Sequence, residues 1–285
     1  MTDYPFLKPA FVAALESGGA VSPQRGWGPC HQTLNQGWLP LYARSDSRGE
    51  YVFDYSWADA YQRHGLAYYP KLVTAIPFTP VVGPRWRGTL NADQIWGAVS
   101  EQMAQQGASG WHVLFPDRAC REQLSALPLV SRQACHFRWF NRDYQDFEDF
   151  LSRFQSRKRK NLRKERRRIA EQGIAVTRLQ GGKISDQDWA FYYQCYASTY
   201  LKRGQLPYLD EAFFAAIREA MADQLMLVLA RRGEQPLAAA LYFQDGDCLY
   251  GRYWGCLEEC DGLHFELCYY QGIEHAIASG LAEFD

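Results

Sequence analysis

The sequence contains no apolar run close to the roughly 20 residues that a membrane-spanning helix requires. Its opening, Met1-Thr2-Asp3-Tyr4-Pro5, has no basic segment followed by an apolar one, so no secretory leader is read there. The expectation is a cytoplasmic protein without a transmembrane segment. Several enzyme signatures are also missing: G-x-S-x-G, G-x-x-x-x-G-K-[ST], H-E-x-x-H and G-x-G-x-x-G. Their absence argues against a serine hydrolase, a P-loop ATPase, a zincin and a nicotinamide enzyme. The eight cysteines are scattered, and a chain with a good core needs no disulfide framework, which points to reduced thiols. Cys256, Cys260, His264 and Cys268 recur every four residues, but a continuous helix strings them along about 18 Å. A tetrahedral zinc site needs its donors within about 2.3 Å of one point. No metal is expected.

At 285 residues, 47% apolar and 22% charged, the chain holds core enough for two ordinary domains or one large one. Aromatic residues, 15% of the total and spread along the whole length, read as core and cleft walls. The net charge of −1 hides an asymmetry. Arg157 to Arg168 carries nine basic residues and one acid, a charge of +8, so the remainder sums to −9. On a helix, Arg157, Lys160, Lys164 and Arg167 form one stripe, while Arg159, Arg163 and Arg166 form another. Only Leu162 and Ile169 offer a core contact. A solvated face is the ordinary reading of a charge run, but such faces mix signs. Like charges this dense repel unless something anionic lies against them. The run therefore predicts a phosphate-bearing partner: tRNA or another RNA, a nucleotide-linked substrate, or an acidic membrane surface. No recognition-helix arrangement accompanies it, so DNA is not expected.

The pattern predicts a helix over 9–16, a strand pair over 31–44 turned at Asn35-Gln36-Gly37, and a helix or ordered segment over 51–64. A buried strand over 72–78, a Pro/Gly loop, a helix over 91–106, a strand over 111–115 and a helix over 118–126 follow. One or two strands are expected over 129–140. The second half restarts with a long helix over 145–172, a strand over 174–179 and helices over 185–202 and 210–221. Three strands come next, over 225–231, 237–244 and 248–257, then a helix over 263–279 and the start of a strand at Leu281. Each half thus gives antiparallel strands, a loop, a helix and another strand, an α+β order with units at 1–143 and 144–285. Asp285 falls where a strand is beginning, so the second unit is expected to be truncated.

Chemistry concentrates in four places. The loop from Val82 to Asn91 runs from a strand into a helix N-terminus, where backbone N–H groups and the helix dipole favour an anion. GNAT acyltransferases hold the coenzyme A pyrophosphate in a loop written [QR]-x-x-G-x-[GA]; Arg85-Trp86-Arg87-Gly88-Thr89-Leu90 matches the Arg and first Gly and departs at Leu90. A solvated turn with two surface arginines reads equally well. The corresponding loop of the second half, Glu258 to Gly262, is acidic and repels phosphate; Glu258 or Glu259 could serve there as a base. Aromatic and charged residues interleave at 51–59, 68–71 and 250–255, the mixtures that line clefts.

Taken in order, GEYVFDYSWADAY (49–61), YYPKL (68–72), PFTPVVGPR (77–85), SRKRKNLRKERRR (156–168) and YGRYWGCLEECDGLHFELCYYQGIEHAI (250–277) resemble the bacterial FemAB-like family of N-acyltransferases. The resemblance implies a tandem GNAT-like fold with acyl-CoA or aminoacyl-tRNA as donor and a small-molecule or peptide amine as acceptor, in a setting related to peptidoglycan precursors. It places the site in the cleft between the units. Asp54 is then the base or the anchor of the acceptor amine. Trp57, Lys71, Arg252 and Trp254 bind substrate, and Tyr253, His264 and Glu266 are further proton-transfer groups. Arg85, Arg87 and Gly88 hold a donor phosphate, while Arg157, Lys160, Arg163, Lys164 and Arg167 contact a longer polyanion. The other reading open at this point is a non-catalytic binding protein for RNA or an anionic cell-wall precursor.

Overall fold

The computed structural model describes residues 4–52 and 54–285. The chain divides into two compact units, one of residues 1–134 and 208–213, the other of 135–207 and 214–285. The division falls at 134/135 rather than 143/144, because residues 139–140 already pair in the second unit's sheet. Among the described residues, no helix is long and apolar enough to cross a membrane.

In chain order the first unit runs α1 (Pro9–Ser17), β1 (Trp27–Pro29), β2 (Gln32–Leu34), β3 (Gly37–Leu39), β4 (Tyr42–Arg44), α2 (Tyr55–Arg63), β5 (Lys71–Thr74), β6 (Arg87–Gly88), α3 (Ala92–Gln106), β7 (Trp111–Val113) and α4 (Arg118–Leu124). Pro9 starts α1, where its missing N–H costs nothing. Asn91 caps α3 by accepting from the Gln94 N–H, and Gln94 returns the bond to the Asn91 N–H. The main sheet has the order β1-β4-β5-β7, antiparallel except for the parallel pair β5–β7. The hairpin β2–β3 instead takes β6 as its third strand, forming a separate small sheet.

The second unit contains β8 (Trp139–Phe140), α5 (Phe147–Ser152), α6 (Ser156–Glu171), β9 (Ile174–Gln180), α7 (Asp186–Leu201) and α8 (Glu211–Ala220), whose first three residues cluster with the first unit. After these come β10 (Leu225–Arg232), β11 (Gln235–Gln244), β12 (Cys248–Cys256), α9 (Leu263–Phe265), a π-helical turn over Glu266–Tyr270, α10 (Gln271–Ala278) and β13 (Glu283–Phe284). The six strands are ordered β8-β13-β12-β11-β10-β9, and the expected meander β10-β11-β12 is antiparallel throughout. Only β12–β13 is parallel.

The two units repeat one topology. In the first, β4 pairs antiparallel with β5, α3 follows, and β7 returns parallel to β5; in the second, β11 and β12, the helical segment 263–278 and β13 do the same.

Two expectations are met only in part. The long helix over 145–172 is broken: Asp146 caps α5 by accepting from the Asp149 N–H, and a fresh helix starts at Ser156. Of the one or two strands expected over 129–140, β8 forms at the end, while residues 129–138 form no strand and are almost wholly exposed.

Close packing of α7 on β12 rests on Gly255. A Cβ built there would lie 1.8 Å from the Cys195 carbonyl oxygen, a backbone atom of α7. Gly255→Ala must therefore push helix and strand apart. It is expected to lower unfolding stability by about 1–3 kcal/mol, measured by urea titration; a variant as stable as the parent would show that α7 yields freely.

Candidate functional site

The first unit buries an unusual amount of charge on one face of its main sheet. Partners in register share a face, so Arg44 on β4 and Lys71 on β5 project together, and His112 on β7 stands opposite Val73, two residues on from Lys71. Arg44, Glu50, Asp54 and Lys71 are each at most 3% exposed. Lys71 Nζ donates to Ser47 Oγ at 2.9 Å, to Glu50 Oε2 at 2.8 Å and to Asp54 Oδ2 at 2.5 Å. Arg44 Nε donates to Glu50 Oε1 at 2.9 Å, and its guanidinium lies 3.5 Å from the centre of the Trp27 ring. Two cations thus meet two carboxylates, which is what keeps such a set tolerable away from water. Tyr68 adds an O–H bond to Asp54 Oδ2, and the Tyr69 hydroxyl meets Ser47 Oγ at 2.8 Å.

Asp54 precedes α2 without capping it; its side chain turns to Lys71 instead. Oδ1 is buried and makes no hydrogen bond among the described residues. Burial is the largest influence and pushes the Asp54 carboxyl up, but the hydrogen bonds from Lys71, Ser47 and Tyr68 and the Lys71 charge together outweigh it and hold the group below its ordinary value, ionised. Burial wins at Glu50, which is raised against the pull of Lys71 and Arg44. His112 is the member that reaches the surface. Its side chain is 31% exposed, and its Nδ1 lies 4.0 Å from Asp54 Oδ2. Burial and then the Lys71 ammonium push this imidazole down to about 4, while Asp54 pulls the other way. At neutral pH it is uncharged.

Among the residues predicted for the site, Asp54 and Lys71 come together here, with Trp57 nearby in sequence on α2 and 53% exposed. Arg85 is a correction. It is fully buried, and its guanidinium donates to the carbonyls of Leu114 at 2.7 Å, Pro84 at 2.9 Å and Phe115 at 2.6 Å, and to that of Val81. Those bonds staple the loop to the end of β7 and leave nothing for a donor phosphate. Gly88 is explained by backbone packing: at φ 82°, a Cβ would sit 2.1 Å from the Gln36 carbonyl oxygen. Arg87 lies 4.0 Å from the centre of the Trp38 ring.

In the second unit, Arg252 lies on β12 with its guanidinium 5.2 Å from the Tyr253 ring centre. Tyr253 is 7% exposed and packs edge-on to Tyr196 at 5.4 Å, a core position rather than that of a free acid. Glu266 is likewise no free proton carrier. Only 4% exposed, it accepts from Arg166 Nη2 at 2.8 Å and from Gln271 Nε2 at 2.7 Å. His264 is exposed, with its ring 5.0 Å from that of Trp254. Glu258 pairs with Arg232 at 2.8 Å and Glu259 with Lys202 at 3.6 Å.

The basic run is less bare than its sequence implied. Arg163 pairs with Glu148, Arg166 with Glu266 and Glu274, Arg167 with Glu171, and Arg168 with Asp261. Among the described residues, Arg157, Lys160 and Lys164 have no carboxylate partner, and at about 100° per residue they share one outward arc. A cavity of about 410 Å³ lies beneath α6, floored by Phe147, Leu151, Ile174 and Val176. Its cations, Arg163, Arg166 and Arg167, are the paired ones.

The sequence reading missed Arg44, Ser47, Glu50, Tyr68 and His112. Register with Lys71 was the signal for Arg44; His112 gave none, lying in a strand with a single polar residue.

The α+β architecture is also that of solved structures. The chain is similar to FemX, with a TM-score of 0.50 and 11% identity over 97% of this chain and 81% of that one. The C-terminal domain of a putative lysylphosphatidylglycerol synthetase from Agrobacterium fabrum gives 0.54 and 10%, over 96% and 72%. A conserved protein of unknown function from Bacteroides thetaiotaomicron gives 0.53 and 11%, over 92% and 77%. No curated protein matches the chain. The chain belongs to the FemAB-like family, described as peptidoglycan biosynthesis/recognition, whose model matches residues 1–285.

Two outcomes follow from the cluster. Lys71→Met leaves Glu50 and Asp54 buried with one counter-charge fewer, and is expected to cost about 3–5 kcal/mol in urea unfolding; a loss under about 1 kcal/mol would mean water reaches the carboxylates. His112 sits at about 4 when folded against an ordinary 6.5, so its contribution is full above 6.5 and is lost as pH falls toward 4. The unfolding midpoint of His112→Gln should therefore fall less than the parent's over that window, and equal slopes would contradict it.

Proposed function

We propose that the protein is an N-acyl- or aminoacyl-transferase, and that Asp54 and His112 are its proton-transfer pair. The observation that carries this is a half-buried neutral imidazole beside a buried, ionised carboxylate. An amine attacking an activated acyl carbon must shed a proton, and the leaving oxygen or sulfur must regain one. His112 Nδ1 faces Asp54, which leaves Nε2 to take the amine proton and return it to the leaving group. The Asp54 charge stabilises the imidazolium between those steps. The 4.0 Å separation is of the kind that tightens when substrate binds.

The family's description and the fold shared with a putative lysylphosphatidylglycerol synthetase domain support a transfer reaction in peptidoglycan or lipid biosynthesis. The donor is aminoacyl-tRNA or acyl-CoA, with Arg87 the remaining candidate for its phosphate. Trp57 is read as a wall for the acceptor, and Arg252 and Trp254 as substrate contacts of the second unit. Arg157, Lys160 and Lys164 on α6 contact phosphate groups of a larger partner.

The test is product formation from each donor with amine acceptors, followed by mass spectrometry. Asp54→Asn and His112→Ala, checked by circular dichroism, should each lose about a hundredfold or more, and the double variant little beyond that, as groups acting as one unit do. A His112→Ala enzyme at the parent's rate overturns the assignment.

A further inference from the structure

The second unit leaves large rings in water. Phe265 is 54% exposed and Tyr269 47%, stacked on each other at 5.5 Å, with His264 edge-on to both. They stand on α9 and the π-helical turn that follows it, and the inner side of that segment is fastened to α6. Tyr270 Oη donates to Glu165 at 2.6 Å, Arg168 pairs with Asp261 at 3.4 Å, and Leu162, Ile169, Leu263, Leu267 and Tyr270 share one core. The exposed rings are therefore held beside the helix that carries Arg157, Lys160 and Lys164.

Neither half of this surface is explained by the fold. Phe265 has no polar atom to satisfy and gains nothing from water. The three cations face outward from a helix whose inward-facing arginines already have carboxylates. Rings with cations beside them match the boundary of an anionic bilayer, where rings settle among the headgroups and basic side chains meet lipid phosphates.

We propose that this face of the second unit docks on an anionic lipid surface. The inference rests on the phosphate-contact reading of α6 and names its partner. Single-stranded RNA offers the same phosphates, but its bases need open ring faces to stack on. Phe265 and Tyr269 already cover each other at an interplanar angle of 30°. A lipid interface needs only their edges and apolar area.

The experiment is co-sedimentation of the full chain with phosphatidylcholine vesicles, with and without phosphatidylglycerol, and in parallel its affinity for tRNA. One variant carries Arg157→Gln, Lys160→Gln and Lys164→Gln; the other carries Phe265→Ser and Tyr269→Ser. The parent should bind only the phosphatidylglycerol vesicles, more weakly as salt rises. The charge variant should lose on the order of a hundredfold in partitioning. The ring variant should also lose vesicle binding, by about tenfold, while any tRNA affinity stays unchanged. Loss in the charge variant alone would overturn the rings' part in the surface and leave only the electrostatic attraction of a basic helix. A parent that binds tRNA but no vesicle would overturn it while leaving the phosphate reading of α6 intact. Binding to neither would remove both, while the Asp54–His112 assignment stands or falls separately, on product formation.

Discussion

An ammonium group held out of water is tolerated only if its surroundings replace the hydration it has lost, and in the first unit that obligation organises everything nearby. Lys71 is completely buried, and its three hydrogen-bond partners come from three places: Ser47, Glu50 and Asp54. To deliver them, the segment after β4 must fold back over the sheet, and the residue before α2 must give up capping its own helix. Glu50 then needs a second cation, which Arg44 supplies from the neighbouring strand, and Arg44 needs a wall, which Trp27 supplies. Each demand is met by a residue whose position the previous one fixed.

The same chain of dependencies separates structural charge from chemical charge. Arg44 and Glu50 are satisfied on every side and act as framework. Asp54 is satisfied at one oxygen only, and His112 is the one imidazole that the framework carries toward solvent. In the second unit the equivalent economy runs differently. Glu266 and Glu274 are drawn to Arg166, so the helix that carries so many cations is tied down on its inner side and left bare on its outer one.

Much of the architecture was legible because it rests on local signals. Asn91, the β10–β11–β12 turns and the glycine after the basic helix each fix an element with neighbours a few residues away. The break between α5 and α6 was hidden because a charge run reads as helix whether or not it is continuous. Site residues divided along the same line. Asp54 and Lys71 stood out as charges among aromatics, yet the same criterion selected Tyr253, which is core, and the phosphate-loop pattern selected Arg85, which is a staple for a loop. Telling a buried arginine bonded to carbonyls from one awaiting a phosphate requires the partners 30 residues away in sequence, as with Phe115. His112 depends on the alignment of β7 with β5, a pairing that no local pattern announces.

The first unit does not end where its sequence segment ends. Residues 208–213 belong to it: Tyr208 stacks on Phe78 at 4.8 Å, and Phe213 meets Phe11 at 5.6 Å. During synthesis, the amino-terminal unit must therefore wait for its last strip of chain while residues 135–207 are made. At ordinary ribosomal speeds, that interval from residue 134 to 213 lasts about 4–16 s. Through it the Phe11 and Phe78 rings lack their covering, and the nascent chain is a target for holding chaperones until translation closes the gap.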